Sequence, residues 1–81
     1  MGKDQDAIIR GKRLKKLREK KNLTQKDLAE KCGISQKLIQ HYEQGEKDTK
    51  NMTIETLYQL SRGLDIPMER LAVLLFSKIK M

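Results

Sequence analysis

In the stretch QKLIQHYEQ, Gln36, Lys37, Gln40 and His41 stand at spacings that can gather them on one side of a helix. Residues three or four apart share a helical face, so when Ile39 and Tyr42 turn inward these four polar side chains are left outside together. A glutamine amide pairs bidentately with an adenine edge, and a lysine ammonium reaches the acceptors of guanine. The chemistry this pattern suits is hydrogen bonding to base edges. Catalysis finds no support. His41 is the single histidine, and beside Glu43 it has no nucleophile to activate. One histidine and one cysteine, Cys32, do not make a metal site. Neither a paired-carboxylate nor a phosphate-loop pattern occurs. The sequence therefore predicts no enzyme, no metal and no cofactor.

The elements that would hold these side chains are all helical. Residues 1–7 are polar and read as a flexible N-terminal segment, in which Asp4 or Asp6 can cap the first helix. Residues 8–81 then form the domain. That first helix runs from Ile8 to about Lys21, with Leu14 and Leu17 on one stripe that Arg10 and Arg18 extend. A second starts at Thr24, whose hydroxyl with Asp27 three residues on resembles a capping box, buries Leu28, Ala29 and Cys32, and stops at Gly33. A third starts at Ser35, turns Ile39, Tyr42 and Glu43 to one face, and closes at Gly45. Two short hydroxyl-capped helices separated by Gly33 and Ile34 make a helix-turn-helix. Glu46 to Met52 reads as a loop. A fourth helix starts at Thr53, with Ile54, Leu57, Leu60 and Ser61 inward, and ends near Gly63. Pro67 then opens an apolar last helix, Met68 to about Lys80. No strand pattern and no repeat is visible.

Composition narrows the class. Eighty-one residues with one cysteine, five glycines and one proline give one small core and no disulfide framework. An aromatic fraction of 4% argues against stacking platforms for single-stranded nucleic acid. The net charge of +7 favours an anionic partner, although solubility alone is also served by it. A membrane surface fits less well, because the basic stretch Lys12, Arg13, Lys15, Lys16 lacks a strongly apolar opposite face. No apolar run is long enough to span a bilayer, and the start is not a secretory signal. With Cys32 unpaired, the expected location is the cytoplasm.

The run LTQKDLAEKCGISQKLIQHYEQG, Leu23 to Gly45, resembles the lambda-repressor-like (Xre/Cro) helix-turn-helix family. The likeness extends upstream through GKRLKKLRE and downstream through MTIETLYQLSRGLDI. It implies an all-α, compact five-helix DNA-binding domain whose third helix enters the major groove, usually as a dimer on a palindromic site. It makes Gln25, at the start of the second helix, a phosphate ligand, where free amides and the helix dipole already favour an anion. Ser35 and Gln44 are expected on the phosphate backbone too. The loop after Gly45 is longer than in compact family members, which brings Lys47 and Lys50 to the backbone. The resemblance also pairs Arg18 with Glu43, both on core-facing stripes. Leu38 departs from the small polar residue common there, and either touches a thymine methyl or packs inward. The basic run of the first helix either meets phosphates or is a solvated face.

These readings converge on a regulator that binds double-stranded DNA as a homodimer. The final helix supplies the dimer contact: Leu71, Ala72, Leu75 and Ile79 suffice to dock it on its own domain, leaving Val73, Leu74 and Phe76 for a partner, within residues 67–80. The alternative is a protein-interaction module, such as an antitoxin, whose final helix meets a different chain and whose DNA binding is secondary.

Overall fold

The computed structural model describes residues 4–79. Five α-helices succeed one another in the order α1 Gln5–Lys20, α2 Gln25–Cys32, α3 Gln36–Glu43, α4 Ile54–Leu64 and α5 Met68–Phe76, with a single 3-10 turn at Thr49–Asn51 between α3 and α4. The described residues contain no strand.

Capping explains where each helix begins. Asp4 accepts the amide of Asp6 and starts α1 three residues earlier than the sequence pattern suggests. Gln5 to Ala7 therefore belong to the helix, and Ala7 is buried, so the flexible segment predicted for 1–7 does not extend through them. Residues 1–3 lie outside the described range. Thr24 and Asp27 form the reciprocal capping box at the start of α2. Ser35 and Thr53 cap α3 and α4 through their hydroxyl oxygens. Gly33 ends α2 at φ +73°, a left-handed turn that a side chain would strain.

The core draws on every helix. Leu14, Leu28, Ile39, Leu60, Leu64, Leu71 and Leu75 are fully buried, with Ala29, Cys32 and Tyr42 packed among them. Truncating one such leucine costs roughly 2–5 kcal/mol, so the core alone tolerates few losses.

Three expectations need correction. Ile54 is 78% exposed instead of inward. At 100° per residue it falls only about 20° from Ser61, at the edge of the stripe of Leu57, Leu60, Ser61 and Leu64, but it belongs to the first turn, where the helix runs out past the core. The segment 46–52 is more than a loop: Asp48 caps the 3-10 turn and Thr49 is fully buried beneath it. The last helix stops at Phe76, well short of Lys80, because Ser77 turns extended (ψ 153°). Arg13 then caps the open end, donating to the carbonyls of Leu75 (3.1 Å) and Ser77 (2.7 Å). Ile79 stands outside the helix and is half-buried, while Lys80 lies beyond the described residues.

Candidate nucleic-acid interface

The helix-turn-helix unit leaves one side of α3 uncovered. Gln36, Lys37, Gln40 and Gln44 are exposed along it, and His41 is half-buried. Leu38 is also half-buried and packs against the core, so its side chain belongs to the inner packing. The exposed Ser35 spends its oxygen on the amide of Leu38 at 3.1 Å and fixes the N-terminal turn of the helix. What is left outward is a short row of amides and one ammonium, the groups that hydrogen-bond base edges.

That row is held from behind by an ion pair. Arg18 donates to both oxygens of Glu43, Nε to Oε2 at 2.7 Å and Nη2 to Oε1 at 3.0 Å, with both residues buried. Its remaining Nη1 donates to the carbonyl of Leu23 at 2.6 Å, tying α1 to the turn that opens α2. Burial opposes the charge on Arg18, but the hydrogen bonds to Glu43 outweigh it and raise its pKa. Gln25 joins the same carboxylate, its Nε2 donating to Oε1 at 3.0 Å. One carboxylate thus links the end of α3, the C-terminal part of α1 and the first residue of α2. Gln25 keeps its second amide hydrogen, beside the open N–H groups of the first helical turn. Gly11 makes the approach possible, since a Cβ there would stand 2.8 Å from the Glu43 carbonyl oxygen.

The segment after α3 is fastened as well. The amides of Glu46 and Lys47 both donate to the carbonyl of His41, at 2.9 and 3.2 Å. Arg10 donates to both oxygens of Asp48, each at 2.7 Å. That hydrogen bonding holds the Asp48 carboxyl below its usual range against the opposing effect of burial. Lys47 and Lys50 project from this segment and are exposed, on either side of Asp48.

Among the candidate interface residues of α5, Val73 is 64% exposed and Leu74 half-buried. They line a shallow groove of about 410 Å³ with Pro67, Glu69 and Arg70. Phe76 is half-buried against the core of its own chain, so part of its ring is already covered. The basic run of α1 divides: Lys12, Lys15 and Lys16 are solvated, whereas Arg13 caps α5.

The pair between Arg10 and Asp48 escaped the sequence reading. A signal for half of it was present, because Arg10 shares a stripe with the buried Leu14, and an arginine there needs an acidic partner. Asp48 carried no signal, lying in a stretch without periodicity. The contact of Gln25 with Glu43 was equally hidden, since only the fold brings residues 18 apart in sequence together. Among the described residues no group of His, Cys, Asp or Glu could hold a metal ion, and no helix is long and apolar enough to cross a membrane.

The family profile described as Helix-turn-helix matches residues 14–71. Among solved structures, the restriction-modification controller protein C.AhdI from Aeromonas hydrophila is 29% identical, over 84% of this chain and 98% of its own, with a TM-score of 0.72. The wild-type restriction-modification controller protein C.Esp1396I is 25% identical over 94% of this chain and 100% of its own, at a TM-score of 0.68. A single-residue variant of C.Esp1396I is 26% identical over 91% of this chain and 90% of its own, at 0.73. No curated protein matches the sequence. With the profile spanning most of the chain and the five helices matching in space, the protein belongs to the lambda-repressor-like helix-turn-helix family of non-enzymatic, DNA-binding transcriptional regulators.

Proposed function

We propose that the chain regulates transcription in the cytoplasm by binding a palindromic operator in double-stranded DNA as a homodimer, in the manner of a restriction-modification controller. The observation that carries this reading is the uncovered face of α3, where Gln36, Lys37 and Gln40 are exposed while Glu43 behind them is locked to Arg18. Base contacts come from Gln36, Lys37, Gln40 and His41. Gln25, Ser35, Gln44, Lys47 and Lys50 meet phosphates around them. The similar structures are of restriction-modification controller proteins, which supports a transcriptional regulator of that kind. Exposed Val73 supports an interface on α5, and a two-fold dimer reading successive turns of DNA requires two copies of α3 about 34 Å apart.

Selection of bound duplexes from a random library tests this directly. The expected yield is a palindromic consensus with half-sites about one turn apart, bound by two chains. Affinity for that consensus should fall on the order of a thousandfold between 50 and 200 mM salt, as for about 6–10 neutralised phosphates. Failure to enrich any sequence, with a flat salt response, would assign the charge to solubility and leave α5 to bind another protein.

A further inference from the structure

An acidic residue between two lysines is out of place on a surface that meets phosphates, because its charge repels them. Asp48 sits between Lys47 and Lys50 in this way. Its carboxylate, however, is turned away into a two-point contact with Arg10 of α1, and the two side chains are only 10% and 11% exposed. The same carboxylate accepts the amide of Lys50 at 3.1 Å. On the other side, the amide of Lys47 is held by the carbonyl of His41 in α3. Thr49, next in the chain, is fully buried. Lys47 therefore hangs between two fixed points, and Lys50 starts from a peptide bonded to Asp48.

Ordering a free backbone on binding opposes affinity, and a backbone ordered beforehand avoids that loss. We propose that Asp48, held by Arg10, is a positioning residue for DNA, fixing the segment from which Lys47 and Lys50 reach the phosphates. The proposal rests on the DNA-binding reading above and adds to it a device outside α3. It also accounts for an acidic residue at this place: the charge is neutralised by Arg10, and the geometry it imposes is what the lysines require.

Electrostatics and positioning give opposite signs on substitution. Asp48→Asn removes a negative charge, so charge alone predicts tighter binding. Positioning predicts weaker binding, roughly tenfold, the scale of re-ordering one or two residues. The probe is a fluorescently labelled mixed-sequence duplex of about 30 base pairs at about 50 mM salt, where phosphate contacts supply nearly all the affinity. Arg10→Lys keeps the charge but loses the two-point contact, and should weaken binding to a similar extent. It also provides the comparison if circular dichroism shows Asp48→Asn to be unfolded. In a Lys47→Ala/Lys50→Ala background, adding Asp48→Asn should change affinity by less than about twofold, since nothing is left to position. Equal or tighter binding by Asp48→Asn, or a tenfold loss that persists without the lysines, would overturn the proposal while leaving the DNA-binding reading intact. A native chain that binds no duplex would overturn both.

Discussion

Helices α3 and α5 are almost the same length, eight and nine residues, yet they are built on opposite plans. The outer face of α3 is polar, and its far end is fastened by side chains of other helices: Glu43 by Arg18 and Gln25, and the segment beyond it through Asp48 by Arg10. The outer face of α5 carries Val73 and Leu74 beside a groove, and among the described residues the side-chain hydrogen bonds to this helix come from Arg13 at its C-terminal end. The family profile also ends at residue 71, covering all of α3 and only the first turn of α5. Under the function proposed above, the contrast assigns the two helices different tasks. Directional hydrogen bonds fix the α3 surface proposed to meet base edges. Burial of apolar area is non-directional, which suits the association with a second copy proposed for α5.

The largest expected effect lies under α3. Glu43→Gln leaves Arg18 buried with its partner's charge gone and one of its two hydrogen bonds to that side chain lost, and should cost roughly 3–5 kcal/mol. That is a large share of the roughly 5–15 kcal/mol available to a domain of this kind. A thermal melt unchanged by the substitution would mean that the pair contributes nothing and the comparison fails on its rigid side.

On α5 the effect should be on association instead. Val73→Lys is expected to turn the proposed dimer into a monomer in sedimentation and weaken operator binding, with helicity unchanged. Val73 is the cleaner site because Phe76 also packs on its own core, so Phe76→Lys would mix folding with assembly. A Val73→Lys protein that still sediments as a dimer would move the interface elsewhere.

Two smaller effects report on the core between these regions. Burial pushes the Cys32 thiol up to about 11 from an ordinary 9.0. The folded chain favours the neutral thiol, so the stability this contributes is fully present below about pH 9 and is lost as pH rises through about 11. A two-unit shift means alkylation near pH 8 about a hundredfold slower in the folded than in the unfolded chain. Equal rates would show that α2 and α4 open readily at Cys32. Thr49 is fully buried and its hydroxyl has no hydrogen-bond partner among the described residues. Thr49→Val should therefore stabilise by about 1 kcal/mol, from removal of an unsatisfied group. A loss of stability would reveal a bond to that hydroxyl.

Sequence signals were strongest where local chemistry decides the structure. Thr24 with Asp27, Gly33 and Ser35 marked the ends of α2 and α3, because caps act over three or four residues. The polar face of α3 came from the inward turn of Ile39 and Tyr42. Hydrophobic spacing misplaced Ile54, since periodicity carries no information on where a core ends. It also ran α5 past Ser77, where no glycine or proline marks a stop and the capping group, Arg13, lies 64 residues away. Asp48 was invisible for the same reason: its partner belongs to a different helix, 38 residues back. Contacts between distant residues account for what the sequence left unread.

Base reading by the outer face of α3 is tested most directly by measuring the affinities of the native chain, Gln36→Ala and Lys37→Ala for a panel of single-base operator variants. Each substitution should cost roughly 1–3 kcal/mol on the selected operator and flatten discrimination at one position while preserving it elsewhere. If both variants bind more weakly but rank the panel as the native chain does, those side chains hold the backbone only, and base recognition by this face is refuted.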